Sequence, residues 1–102
     1  MTEIPEEAWQ LMHGDQLVGS LRMEAIDMFW TDCAFEPGPA WPAVRPLFDA
    51  SHDAWARGDK QAALAADRRI VEAGLVLVPI GPGETITRFM IRIREGTARF
   101  RW

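Results

Sequence analysis

The residues with most chemistry to offer are five arginines near the C-terminus: Arg88, Arg92, Arg94, Arg99 and Arg101. A guanidinium is a permanent cation whose planar fork grips a carboxylate or a phosphate through paired hydrogen bonds. Their spacing matters more than their number. Even intervals separate them on each side of Glu95-Gly96, a two-residue hairpin signal. Closing the chain there sets Arg94 against Thr97, Ile93 against Ala98 and Arg92 against Arg99. It also sets Ile91 against Phe100, Met90 against Arg101 and Phe89 against Trp102. Side chains alternate across a strand, so the five arginines and Met90 share one face. Phe89, Ile91, Ile93, Ala98, Phe100 and Trp102 share the other and form the expected core side. Alternation in the earlier run Phe29–Glu36 adds Trp30 and Asp32 to the arginine side, where the indole can stack on a guanidinium or anchor an interface.

Like charges opposite one another weaken a sheet, so this face needs compensation. One source is internal: Glu24, Asp32 and Glu36 lying alongside as an ion-pair lattice. The other is external: an acidic partner docked on Arg88, Arg92, Arg94, Arg99, Arg101, Trp30 and Met90.

Other chemistry is weaker. Asp49 and His52 stand one helical turn apart, as an acid–base pair or two metal ligands would, but two donors do not make a site, and a solvated helix face is the simpler reading. His13 belongs to a turn. Cys33 could act as a nucleophile beside a histidine, but it falls on the expected core face, where a thiol is inert. Gly81-Pro82-Gly83 lacks the Lys and Ser/Thr of a phosphate loop. Trp9, Trp41, Trp55 and Trp102 are expected at core edges. No catalytic constellation, metal site or cofactor motif is read, so the expectation leans away from an enzyme.

The elements that position these groups follow from periodicity. Residues 1–7 read as a loose leader and residues 8–102 as one domain. Ala8–His13 and Gln16–Ile26 flank a Gly14-Asp15 turn, with Leu17, Gly19, Leu21, Met23 and Ala25 as the core face of the second run. Phe29–Glu36 alternates again, with Phe29, Thr31, Cys33 and Phe35 inward. After a Pro/Gly-rich turn, Ala43–Arg57 reads as a helix, with Pro46 tolerable only in its first turn. Asp59 caps a second helix, Lys60–Ala73, which Gly74 closes, and Leu64, Ile70 and Val71 with Ala63 and Ala66 form its apolar stripe. Leu75–Ile80 is apolar on both faces, as in a central strand or one covered by a partner. Thr85–Arg94 and Thr97–Trp102 complete a βββ-αα-βββ order. That predicts an α+β fold: a mainly antiparallel sheet of about six strands with a helical hairpin on one face.

Composition bounds the rest. The chain has 102 residues, 48% hydrophobic and 25% charged, with a net charge of −4. That suits one ordinary globular domain and makes it a poor nucleic-acid binder. Residues 1–36 hold eight acids against one base, while residues 74–102 hold five arginines against two acids; the two ends are expected to meet. One cysteine excludes an internal disulfide and fits a reducing cytoplasm. No run is long enough to cross a bilayer. Ten arginines against one lysine fit a GC-rich bacterial genome. The expectation is a small cytoplasmic protein-binding module of accessory, inhibitor or immunity type, self-associating as a homodimer. The alternatives are a small-molecule binder or enzyme with a Trp/Met-lined pocket between helices and sheet, and a nucleic-acid accessory protein.

Overall fold

The computed structural model describes residues 7–102. Three strands come first: β1 (Ala8–His13), β2 (Gln16–Asp27) and β3 (Trp30–Pro37). Two helices follow, α1 (Trp41–Ala56) and α2 (Lys60–Glu72), then β4 (Val76–Pro79), β5 (Met90–Arg94) and β6 (Thr97–Arg101). The strands form one antiparallel sheet in the order β4-β1-β2-β3-β6-β5. This is the α+β order read from the sequence. Of the expected leader, residues 1–6 lie outside the described residues; the Glu7 carbonyl accepts a 2.8 Å hydrogen bond from the Met23 N–H.

The sheet curls strongly. Trp9 on β1 and Phe100 on β6 are three strand positions apart, roughly 14 Å in a flat sheet at about 4.8 Å per strand. Their ring centroids are 4.9 Å apart, edge to face. The hollow so formed holds Leu11, Leu21, Leu77, Ile91 and Phe100, and Val44, Phe48 and Ile70 of the helices join the same buried cluster. Leu77 also bridges to Ile86. The apolar segment around β4 is therefore an edge strand, covered at that point by its own chain.

Two bulges explain most departures from simple alternation. Leu11 pairs with Gly19 rather than Val18, and Met12 pairs with Leu17, so Val18 is the extra residue and is fully buried. Gly19 cannot carry a side chain there: an added Cβ would run into the Phe35 ring and stand 2.8 Å from the Glu36 carbonyl oxygen. In the second bulge Met23 pairs with Cys33 and Ala25 with Asp32, leaving Glu24 unpaired. A single inserted residue reverses the faces beyond it. Ala25, expected inward, is exposed, and Asp27 comes to pair with Trp30 on the outer side.

Other boundaries shift for local reasons. Met28-Phe29 is the turn, with Met28 at φ 58°, so Phe29 is 75% exposed rather than inward. α1 starts at Trp41, two residues earlier than expected, with Pro42 in its first turn and Pro46 in its interior. Asp59 caps α2 as expected, its Oδ1 accepting from the Ala62 N–H at 3.1 Å. Ala63, Ala66 and Ile70 form the buried face of α2, whereas Leu64 and Val71 are exposed. The β5 strand begins at Met90, so Arg88 precedes it. Trp102 lies past β6, 72% exposed and stacked on Phe100 at 5.4 Å. Among the described residues, no helix is long and apolar enough to cross a membrane.

Candidate functional site

The β5–β6 hairpin sets the register of the site. Glu95 and Gly96 both have positive φ, 47° and 76°, the conformation that a two-residue hairpin turn with the right strand twist requires. The Thr97 hydroxyl donates to the Arg94 carbonyl at 2.7 Å and ties the turn. Arg92 faces Arg99 and Met90 faces Arg101, while Ile91, Ile93, Ala98 and Phe100 are buried on the opposite side.

Trp30 is the hub of the outer face. The guanidinium carbons of Arg99, Arg92 and Arg101 lie 4.9, 5.4 and 5.8 Å from its ring centroid. The indole face carries negative quadrupole density, which attracts cations and shields them from one another. Carboxylates complete the balance. Arg99 Nε lies 3.0 Å from Asp32 Oδ1 and an Arg99 terminal nitrogen 3.4 Å from Asp27 Oδ2. Asp27 reaches this position because of the Glu24 bulge. Of the expected lattice, Asp32 takes part; Glu24 and Glu36 form no ion pair among the described residues.

Arg92 links sheet to helices. Besides Trp30 it lies 5.1 Å from the Trp55 ring centroid, and its nitrogen is 3.9 Å from Asp67 Oδ2. Asp67 on α2 also accepts from two α1 groups, Ser51 Oγ and Trp55 Nε1, the latter at 3.1 Å. One carboxylate thus fastens both helices and meets the cation of the adjacent edge strand.

The remaining arginines differ. Among the described residues Arg94 pairs only with its neighbour Glu95, at 3.9 Å, and Glu95 is 83% exposed. Arg101 lies 5.8 Å from the Phe29 ring centroid as well as over Trp30, and neither it nor Arg88 has an ion-pair partner among the described residues. Against Arg101 stand two exposed apolar side chains, Phe29 and the arginine's cross-strand neighbour Met90, with the exposed Met28 next in the turn. One step beyond the Thr31–Phe100 pair, Arg101 lies beside Trp30.

Between α1 and this ribbon runs a groove of about 410 Å³, bordered by Phe48, His52, Trp55, Arg92, Arg94 and Arg99. His52 and Arg94 also border its extension toward Trp41. Sequence reading singled out neither Ser51 nor Asp67 as a partner. The available signal was Ser51 at helical spacing from Val44, Phe48 and Trp55, since a hydroxyl on an apolar stripe is buried and requires an acceptor.

Cys33 lies beneath the groove and is 1% exposed. Burial, reinforced by the Asp32 and Glu24 carboxylates, pushes its thiol up from 9.0 to about 12. The neutral form therefore persists where a thiolate nucleophile would be needed. The unfolded chain releases this proton near 9.0, before the folded chain does, so stability falls as pH rises from about 9 toward 12. With no tyrosine and one lysine in the chain, few other groups titrate there. Denaturation midpoints measured through that window should decline in the natural chain and decline less in Cys33→Ala. Alkylation of Cys33 should require denaturant.

Among the described residues no three His, Cys, Asp or Glu side chains converge as a metal donor set. No protein-family model, curated protein or solved structure matches the chain.

Proposed function

We propose that this chain is a protein-binding module of accessory or inhibitor type, which docks an acidic surface of another protein on the sheet end around Trp30 and Arg101. The observation that carries this is a pair of exposed apolar side chains, Phe29 and Met90, set against Arg101, which has no ion-pair partner among the described residues, beside the exposed Met28 of the same turn. Large apolar side chains gathered on a surface and rimmed by charge mark interaction sites, and Trp, Met and Arg are the residues that interfaces favour. Arg92 and Arg99 have internal carboxylates and serve to stiffen the platform. Arg101, Arg88, Met90 and the Met28-Phe29 turn are the groups open to a partner.

An acidic protein suits this surface better than nucleic acid. Asp27 and Asp32 are interleaved with the arginines and would repel a phosphate backbone, as would the net charge of −4. A second copy meeting the patch symmetrically would set arginine against arginine, which makes a different protein the better occupant. The single buried thiol supports a reducing, cytoplasmic setting.

The test pairs capture with charge reversal. A partner retained by the natural chain is purified and titrated against Arg101→Glu and Met28→Asp, both at exposed positions where unchanged melting is expected. The expected result is at least about tenfold weaker binding for each, with affinity falling as salt rises. Equal affinity of the variants, or no retained protein that distinguishes them, would overturn the reading. A stable dimer that Met28→Asp dissociates would assign the patch to self-association instead.

A further inference from the structure

We infer that the groove between α1 and the β5–β6 ribbon is a second, separate binding site, for a small molecule with a flat apolar body and a single oxyanion. Its volume of about 410 Å³ lies within the range of small-ligand clefts. Trp55 supplies an apolar wall on the helix side, backed by the buried Phe48. Arg94 supplies the charge. Of the three arginines bordering the groove, Arg92 is held against the Trp30 and Trp55 rings and Arg99 by Asp32 and Asp27. Among the described residues Arg94 pairs only with the adjacent, solvent-exposed Glu95 at 3.9 Å, a contact that costs little to exchange for a better-placed anion. It stands where the groove meets its extension, and His52 borders both.

The platform is held before any ligand arrives. Asp67 fixes Ser51 and Trp55 of α1, and Arg92 lies between the Trp55 and Trp30 rings. A wall already ordered loses little side-chain entropy on binding. The charge pattern sets the ligand class. Glu24 and Asp32 also border the groove, so a polyanion would be repelled while one oxyanion at Arg94 is accommodated. The guanidinium fork accepts carboxylate or phosphate oxygens alike. The shared chemistry is thus an aromatic acid, whether carboxylate or phosphate ester.

The experiment is amide and indole NMR of the full chain titrated with benzoate, phenyl phosphate and neutral benzyl alcohol. The inference expects saturable shifts at Ser51, His52, Arg94 and the Trp55 indole N–H with at least one of the anions. Benzyl alcohol should bind at least about tenfold more weakly. Whichever anion binds better identifies the oxyanion. Arg94→Gln, on an exposed side chain, should keep the melting temperature and weaken the anion by a similar factor. Three results would overturn the inference: no shifts with either anion, equal binding of benzyl alcohol, or shifts gathered instead on Leu64, Val71 and Met90. Met28→Asp should leave the titration unchanged, so failure here and failure of the protein-docking reading are separately visible.

Discussion

Phe100→Ala should be among the most destabilising single changes in this chain, by about 3–5 kcal/mol, the cost of emptying a filled aromatic site in a core. Phe100 is fully buried, lies edge to face on Trp9 and stacks beneath Trp102. Its position makes the loss larger than its volume alone suggests. The Trp9–Phe100 contact spans the hollow of the curled sheet, so removing one ring takes away the packing that holds distant strands together. A cavity there cannot be refilled by one neighbour moving, because the walls belong to strands tied by their own ladders. At about 4–8 °C in Tm for each kcal/mol in a domain of this size, the loss is easily read by thermal or urea denaturation. Phe100→Leu should recover a substantial part of it. A Phe100→Ala protein melting within a few degrees of the natural chain would contradict the packing described.

Asp67→Ala comes next, at about 2–4 kcal/mol. The change deletes two hydrogen bonds to a charged acceptor and leaves the buried Ser51 hydroxyl unpaired. The ion pair to Arg92 adds little of this, since Arg92 is 41% exposed and 3.9 Å away. The hydrogen bonds carry the effect, which gives a way to check it. Ser51→Ala should lose less than Asp67→Ala, and the double variant should lose less than the sum of the two, with a coupling of about 0.5–3 kcal/mol. Trp55 emission should shift in Asp67→Ala as the indole loses its acceptor. Strict additivity would show that the two residues do not act together.

Much of this was legible in the chain. The β5–β6 register followed from Gly96, a residue free to take the positive φ of a tight turn, between two alternating runs, and even spacing then placed the arginines. Asp59 and Gly74 marked the ends of α2 through their capping chemistry. The bulges were illegible. Met23-Glu24-Ala25 carries no composition signal, and only packing of the hollow decides that an extra residue fits there. That one residue moved Asp27 into reach of Arg99, so half of the charge balance at Trp30 could not be read in advance. The Asp67 contacts depended on how α1 and α2 lie against each other, which neither helix specifies alone. Of the candidate site, Arg92, Arg99, Arg101 and Trp30 converge as spacing indicated, while Arg88 falls outside β5 and Arg94 turns to the groove.

The bridge between Leu77 and Ile86 bears on how such a chain behaves at high concentration. A sheet offers other chains its unpaired rims, and templated stacking into fibres begins there. Here one rim, β4, is shielded at Leu77 by the segment that follows it, and α1 lies against the other rim, β5. Crowding should therefore favour contacts through side chains at the Met28-Phe29 tip over backbone zippering, giving reversible clusters that dissolve on dilution.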